Sequence, residues 1–245
     1  MSTTTPGAQP ASKAGVMYMA FGERSLKAAI NSYHSLLQFC HFPAVIVGDY
    51  PTDEIPHIPW TGETPWQNDE PIGQRFYAGR VKPFFYRLSP FEKTLYLDAD
   101  TEIYRDITPG FDLLDKWDIC IADDPRTLES TFRVSKQGPR WDWIREQRDF
   151  THNYIGKASN PQINTGVIFF RKSVGSGIFF TDWYREWMKF PRWDEQMPFM
   201  RAEHNCRVTK IYHLPTIWNT NSADRHDKII YHMWGLQKAR DLYAD

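Results

Sequence analysis

The chain has 245 residues, of which 41% are hydrophobic and 24% are charged, and its formal net charge is −1 at pH 7. This composition places it among ordinary folded globular proteins, and the near-balance of charge excludes a general polyanion-binding surface. Three widely spaced cysteines without a Cys-x-x-Cys pair argue against a disulfide scaffold or a zinc site. They favour reduced thiols and therefore a cytoplasmic location.

The hydropathy of the chain and the composition of its first residues predict a flexible N-terminal tail followed by one folded domain. No apolar run approaches the roughly 18 residues of a transmembrane helix, and no apolar signal core follows the N-terminus. Residues 1–15 are rich in Ser, Thr, Pro, Ala and Gly, which predicts a flexible tail. Residues 16–245 are expected to form a single domain.

Strand, helix and strand signals follow each other in the first part of the chain. Residues 16–20 form an apolar run that predicts a buried strand, and residues 25–39 carry apolar side chains at helical spacing. Residues 44–48 predict a second buried strand, so these segments are expected to form a βαβ unit with a right-handed crossover. Residues 50–71 hold five prolines and little periodicity, which predicts a long loop.

The remaining segments extend this pattern. Part of residues 74–88 is expected to be helical, although Pro83 restricts the extent of the helix. Further helices are predicted at 178–190 and from 194 onward. Further strands are predicted at 95–98, 117–122, 162–170, 208–214 and 228–232. Asp123-Asp124-Pro125 is expected to break its strand, and residues 126–160 give no clear signal. The expected fold class is α/β, with a mostly parallel central sheet flanked by helices.

Two carboxylates directly follow the apolar run Leu95-Tyr96-Leu97, separated by Ala99. Because ligands bind at the carboxyl ends of strands in open α/β sheets, Asp98 and Asp100 are expected at the mouth of a ligand crevice. Alternate residues of an extended chain point the same way, so both carboxylates can reach one ion while Ala99 packs behind. Two hard oxygen donors suit Mg²⁺ or Mn²⁺ carrying a diphosphate. The alternative is a solvated turn or a helix cap, as most such triplets are.

Several other short motifs accompany this triplet in a definite order. They are Ala20-Phe21-Gly22, Tyr96-Leu97-Asp98-Ala99-Asp100-Thr101, Asn164-Thr165-Gly166-Val167-Ile168, Glu195-Gln196 and His232-Met233-Trp234-Gly235-Leu236-Gln237-Lys238. In addition, Lys82 stands sixteen residues before Asp98. The set resembles the GT-A fold of the nucleotide-sugar glycosyltransferases, most closely the retaining glycogenin and galactosyltransferase-like family 8. The resemblance covers residues 16–238, and its specificity lies in the order and spacing of the motifs.

The resemblance implies a metal-dependent transfer of a sugar from a nucleoside diphosphate sugar, such as a UDP-sugar, with retention of configuration. It implies that Asp98, Asp100 and His232 hold Mn²⁺ or Mg²⁺. The residues that it places against the donor are Ala20, Phe21, Gly22, Arg80, Lys82, Asp98, Ala99, Asp100, Asn164, Gly235 and Lys238. The alternative for His232 is an ordinary surface or core histidine.

The resemblance also implies a catalytic group beside the anomeric carbon. Gln196 is expected on one face of the donor sugar, with a neighbouring carboxylate that orients the donor hydroxyls. The family more often has Asp-Gln here, so either Asp194 or Glu195 is the candidate for that carboxylate. The alternative for these three residues is a solvated helix N-terminus, and the alternative for Asn164 is a turn at the strand edge.

Tryptophans crowd the C-terminal half of the chain. Trp183 and Trp187 lie in a predicted aromatic-rich helix and are expected in the core. Trp218 and Trp234 have polar neighbours and are candidate walls of a donor or acceptor pocket.

The acceptor and the reaction class have alternatives. A saccharide, a protein side chain, a lipid-linked sugar or a modified nucleobase each fits as acceptor. A nucleotidyltransferase of the same fold would need a glycine-rich phosphate loop after the first strand, where only Phe21-Gly22-Glu23-Arg24 is present. A non-catalytic nucleotide-sugar binding module is the third hypothesis, because fold by itself does not determine function.

Overall fold

A computed structural model describes residues 13–60, 81–127, 139–156, 161–190 and 195–233. The α/β fold class predicted from the sequence is confirmed. Most of the predicted tail lies outside the described residues. The same holds for five residues singled out above, namely Arg80, Asp194, Trp234, Gly235 and Lys238. Within the described ranges, no helix is long and apolar enough to cross a membrane.

Nine strands are present in the described parts of the chain. They are β1 (Ala14–Ala20), β2 (Ala44–Gly48), β3 (His57–Pro59), β4 (Lys93–Asp98), β5 (Thr101–Ile103), β6 (Ile119–Thr127), β7 (Pro161–Arg171), β8 (Ile211–Leu214) and β9 (Ile230–His232). Seven of them form a sheet in the order β3-β2-β1-β4-β7-β6-β8, and β5 pairs with β9 in a small second sheet. In the large sheet β7 is antiparallel to β4 and β6, whereas the other neighbouring pairs are parallel.

Helices cover both faces of the large sheet. They are α1 (Glu23–Leu37), α2 (Phe85–Leu88), α3 (Thr108–Leu113), α4 (Pro139–Ile155), α5 (Val174–Met188) and α6 (Gln196–Asn205). Two short 3₁₀-helices occupy Lys82–Phe84 and Thr216–Trp218. Because side chains alternate along β1, Tyr18 packs into one apolar cluster with α1, while Met17 packs into a second cluster with α5 and α6. Burial on both faces explains the continuous apolar runs of these strands.

The topology gathers distant segments at one edge of the sheet. Since β7 is antiparallel to β4, the beginning of β7 lies at the carboxyl end of β4, and Leu97 pairs with Val167. In the small sheet β9 pairs with β5, and Thr101 lies opposite His232. The turn after β4 is therefore flanked by the start of β7 on one side and by the end of β9 on the other.

Three predicted boundaries need correction. Strand β1 begins at Ala14, because Ala14 and Gly15, predicted to belong to the tail, pair with β4. The short edge strand β3 lies within the predicted loop 50–71 and pairs with β2. The prediction that Asp123-Asp124-Pro125 breaks its strand was wrong. Strand β6 continues to Thr127 through two register shifts, and Asp124 is only 2% exposed, with its carboxylate accepting hydrogen bonds from the Arg126 guanidinium.

Two further expectations concern helices and aromatic residues. Residues 126–160, which gave no signal, contain α4, whose buried Gln147 and Thr151 interrupt an apolar face. Trp183 and Trp187 are buried as predicted. Trp218, predicted as a pocket wall, is buried instead, and its ring meets Phe169 edge-on at 5.5 Å between ring centroids.

Candidate metal centre and active site

Three side chains converge beyond the carboxyl end of β4. One ligand atom each from Asp98, Asp100 and His232 lies within 4.8 Å of the others. The Nε2 atom of His232 is 3.1 Å from Asp100 Oδ1 and 3.6 Å from Asp98 Oδ2. Strand β4 ends at Asp98 and a turn at Ala99 and Asp100 precedes β5, so the expectation of an extended chain through both aspartates was wrong. This turn and the β5–β9 pairing together produce the arrangement. Ala99 is buried in the core behind the carboxylates, as predicted.

Asn219 fixes the orientation of the His232 ring. His232 Nδ1 lies 2.9 Å from Asn219 Oδ1, and Asn219 Nδ2 donates to the Asn164 carbonyl at 3.3 Å. Because the NH₂ of the Asn219 side chain faces Asn164, the side-chain oxygen of Asn219 faces the His232 ring. That oxygen can only accept a hydrogen bond, so His232 Nδ1 carries a proton. The other ring nitrogen, Nε2, is then directed at the two carboxylates. This is the tautomer and the outer-shell hydrogen bond that metal-ligating histidines have.

The electrostatics of this cluster favour a positive charge. Burial lowers the pKa of His232, but the charge of Asp100, the hydrogen bond to it and the charge of Asp98 together raise that pKa above its ordinary value. Without a proton or a cation, the Nε2 lone pair would face a carboxylate oxygen at 3.1 Å. Two carboxylates and one imidazole nitrogen are suitable ligands for Mn²⁺ or Mg²⁺. The residues present therefore fit a divalent ion.

Gly166 makes the close approach of these groups sterically feasible. A Cβ atom added to Gly166 would lie 2.2 Å from His232 Cε1 and 2.9 Å from Asp98 Oδ2. Both distances are shorter than real Cβ contacts, so no larger residue fits without displacing a ligand. A glycine inside a predicted strand is a sequence signal for such a close approach, but the motif around Gly166 does not by itself predict this role.

Lys82 forms a buried ionic bridge beside the centre. Its Nζ atom is 2.7 Å from Glu195 Oε1 and 3.0 Å from Asp98 Oδ1, and its side chain is only 4% exposed. Burial lowers the pKa of Lys82, but the charges of Asp98 and Glu195 outweigh it and raise the pKa. Burial has the opposite effect on the carboxyl of Glu195 and raises its pKa. The charge of Lys82 and the hydrogen bonds from Lys82 and Thr165 outweigh burial, so the pKa of Glu195 is lowered overall. The Lys82 ammonium thus lies between the carboxylates of Asp98 and Glu195.

Tyr96 and Trp183 support the carboxylates of this bridge. The buried Tyr96 hydroxyl donates to Asp98 Oδ1. The ring of Tyr96 stacks on Phe85, with ring centroids 3.9 Å apart. The Trp183 indole donates to the backbone carbonyl of Glu195 at 2.8 Å, at the point where α6 begins. The structure thus brings Glu195 into the site, and Gln196, the first residue of α6, is partly exposed beside it.

The turn after β1 lies at the same edge, because Met19 pairs with Asp98. Gly22 has φ 81° and ψ 152°, a conformation that is essentially restricted to glycine. Its N–H donates to Asp49 Oδ1 at 2.7 Å, so Asp49 at the end of β2 holds this turn. Ala20 and Phe21 are buried. No sequence motif surrounds Asp49, so its role was not predicted.

Asn164 lies next to the triad but uses its side chain locally. Its Oδ1 atom accepts the Gly166 N–H at 2.9 Å, and its backbone carbonyl accepts the Asn219 amide. The residue thereby supports the strand segment that carries Gly166. Contact between Asn164 and a donor sugar stays a prediction.

No protein-family model and no curated protein matches the chain, whereas solved structures do. The apo structure of the WbbM bifunctional glycosyltransferase superposes with a TM-score of 0.59 and 13% identity over 93% of this chain. It covers 47% of the WbbM chain, so the present chain spans about half of that protein. The galactosyltransferase LgtC, in complex with donor and acceptor sugar analogs, gives a TM-score of 0.53 and 12% identity over 93% of this chain and 94% of LgtC.

Mouse xyloside xylosyltransferase 1, in its apo form, gives a TM-score of 0.53 and 13% identity over 89% of this chain and 97% of its own. Likeness at such identities establishes the fold. The chain has the GT-A fold, and the resemblance to GT-A glycosyltransferases seen in the sequence is confirmed at that level.

Proposed function

We propose that the protein is a metal-dependent glycosyltransferase that moves a sugar from a nucleoside diphosphate sugar to an acceptor. The convergence of Asp98, Asp100 and His232 at the carboxyl end of β4 carries this proposal. In an open α/β sheet this is the edge at which ligands bind. The solved structures named above, which share the fold, are glycosyltransferases.

Asp98, Asp100 and His232 would hold the divalent ion, which would supply Lewis-acid stabilisation for a leaving diphosphate. The protein itself fixes the orientation of these ligands through hydrogen bonds. The Tyr96 hydroxyl donates to Asp98 Oδ1, and the Lys82 ammonium lies 3.0 Å from Oδ1 and donates to Oδ2 at 3.3 Å. The Oδ2 atom also lies 3.6 Å from His232 Nε2. Ligands held in this way need no reorganisation when charge develops.

Lys82 and Glu195 are proposed to act on the donor. The Lys82 ammonium lies next to Asp98, where its positive charge favours an anionic diphosphate sugar. Glu195 accepts hydrogen bonds from Lys82 and Thr165 in the present state, and its ionised carboxylate is an acceptor for donor hydroxyls. We place Gln196 beside the anomeric carbon because it adjoins Glu195. Its role, the use of a UDP-sugar and retention of configuration come from the family resemblance.

The test is a panel of nucleotide sugars incubated with the protein and Mn²⁺, Mg²⁺ or EDTA, with release of nucleoside diphosphate as the readout. We expect metal-dependent release from one donor, and loss of that release in Asp100→Asn. The control is Asp115→Asn, because Asp115 is exposed and pairs with Lys93 at the opposite end of β4.

Two outcomes contradict the proposal. Release that is indifferent to EDTA and to Asp100→Asn rules out the metal centre. Tight binding of a donor with no release, even when saccharide, peptide and lipid-linked acceptors are supplied, identifies a binding module instead of an enzyme.

A further inference from the structure

Three buried hydroxyl groups connect β1 and α1 to the turn that carries the two aspartates. Ser32 Oγ lies 2.9 Å from Thr101 Oγ1 and 3.3 Å from the Tyr18 hydroxyl oxygen. The Thr101 hydroxyl donates to the backbone carbonyl of Asp98 at 2.8 Å. Ser32 and Tyr18 are 0% exposed and Thr101 is 1% exposed, so water does not compete for these groups.

Proton counting gives this chain of hydroxyls a direction. Each hydroxyl has one proton. Because Thr101 donates its proton to the Asp98 carbonyl, its oxygen accepts the proton of Ser32. The single proton of Ser32 is shared between the Thr101 oxygen at 2.9 Å and the Tyr18 hydroxyl oxygen at the longer distance of 3.3 Å. The shorter contact connects Ser32, through the Thr101 hydroxyl, to the Asp98 carbonyl.

A second contact from α1 reaches the strand that follows the turn. Ser35 Oγ accepts the backbone N–H of Ile103 at 2.9 Å and donates to the Ser32 carbonyl at 2.7 Å. Around these groups the cluster is apolar, so unpaired hydroxyls here would be costly. Ser32 and Ser35 of α1 are therefore both directed at one target, the segment from residue 98 to residue 103.

The far side of the same segment is held by β9. Thr101 pairs with His232, and the Met233 N–H donates to the Asp100 carbonyl at 2.9 Å. Thr101 thus lies between the helix and the strand that carries the histidine. A shift of Thr101 moves the Asp98 carbonyl, and with it the spacing between the two carboxylates and His232.

We infer that Ser32 and Thr101 are positioning residues for the metal ligands. They fix the turn so that the Asp98 and Asp100 carboxylates face His232 before an ion arrives. The inference rests on the proposed function, since it concerns the ion of that site. It adds a role for α1, which otherwise only covers the sheet.

The experiment measures binding of Mn²⁺ alone to the full chain, from the electron paramagnetic resonance signal of the free ion. Thr101→Val removes the hydroxyl at nearly constant shape, and Thr101→Ser restores it. Loss of outer-shell partners typically weakens metal binding about 10–100-fold. We expect about tenfold weaker binding in Thr101→Val and in Ser32→Ala, and nearly unchanged binding in Thr101→Ser.

A double variant and a matched control separate positioning from general stability. Because Ser32 acts through Thr101, Ser32→Ala combined with Thr101→Val should bind Mn²⁺ no more weakly than Thr101→Val by itself. Ile46→Val is the control, since Ile46 is buried in the same apolar cluster on β2. It should lower the melting temperature without changing the affinity for Mn²⁺.

The outcomes distinguish this inference from the proposed function. If the unaltered protein binds Mn²⁺ and Thr101→Val and Ser32→Ala bind it equally well, the inference is wrong and the metal site stands. An equal loss of affinity in Ile46→Val also overturns it. If the unaltered protein does not bind Mn²⁺, the proposed metal site fails and the inference fails with it. If Thr101→Val does not fold, the Mn²⁺ affinity of Ser32→Ala is compared with that of the unaltered protein, and equal affinities overturn the inference.

Discussion

At Gly166 a hydrogen atom occupies the position where any other residue would place a carbon 2.2 Å from the His232 ring. The adjacent strands leave the backbone of β7 no room to retreat, because Leu97 and Val167 are paired beside it. The glycine is thus part of the proposed metal centre although it has no side chain to offer. Its effect is steric, and it acts on two ligands at once.

Gly166→Ala is therefore expected to abolish detectable Mn²⁺ binding and donor turnover. The added methyl group displaces the His232 ring or the Asp98 carboxylate, and such overpacking costs about 1–3 kcal/mol of unfolding free energy. Mn²⁺ titration and chemical denaturation of the same samples measure both effects. Gly177→Ala is a suitable control, since its new Cβ would meet Tyr86 at an ordinary 3.4 Å. If Gly166→Ala bound Mn²⁺ as tightly as the unaltered protein, the His232 ring and the Asp98 carboxylate could make room for the methyl group, and the prediction would be wrong.

At the scale of elements, His213 joins three of them near the carboxyl edge of the sheet. Its Nδ1 atom lies 2.5 Å from Asp123 Oδ1 on β6, and its Nε2 atom lies 2.6 Å from Glu203 Oε1 on α6. The hydrogen bonds to Asp123 and Glu203 raise the pKa of His213 from 6.5 to about 10, against the opposing effect of burial. The imidazolium therefore ties α6, which follows Glu195, to the sheet at neutral pH.

This ion bridge predicts a pH dependence of stability. Because the folded-state pKa is raised, the bridge contributes fully below pH 6.5, and its contribution is lost as the pH rises through about 10. The side chain is 41% exposed, so solvent screening limits the contribution to about 1 kcal/mol. Urea denaturation between pH 6 and pH 10 should show this loss in the unaltered protein and a flatter profile in His213→Gln. Parallel profiles for the two proteins would refute it.

At the scale of the whole molecule, the sheet order assembles the site from segments far apart in sequence. Strands β1 and β4 are neighbours although β2 and β3 intervene between them in the chain. Lys82 and Glu195, which form the shortest ion pair at the site, are 113 residues apart. Among the described residues, three carboxylates meet Lys82 and His232 here, and this surplus of negative charge favours a divalent cation.

Mn²⁺ is accordingly expected to stabilise the folded protein as a whole. A ligand that binds the folded state at 100 times its dissociation constant adds about 2.7 kcal/mol. For a chain of this length, that free energy corresponds to a rise of about 5–10 °C in melting temperature. Differential scanning calorimetry with Mn²⁺ and with EDTA measures the rise in melting temperature. Asp100→Asn is the control, in which Mn²⁺ should cause no rise. An equal shift in Asp100→Asn would mean that the ion binds elsewhere.

The sequence by itself determined the α/β class and the principal strands, and it singled out Asp98 and Asp100 as a candidate ligand pair. These features depend on local patterns, because apolar runs and the position of the two carboxylates directly after one of them follow from neighbouring residues. It also indicated His232, Lys82 and Glu195, through the order of motifs that resemble a known family.

Tertiary structure alone decided which groups meet. The contacts of Asn219 with His232, of Gly166 with the ligands and of Ser32 with Thr101 depend on strand register and helix packing. No local pattern encodes such pairings, since each partner also occurs in ordinary cores and turns. The continuation of β6 through Asp124 has the same explanation: the Arg126 guanidinium neutralises a buried charge that, in sequence, predicts a turn.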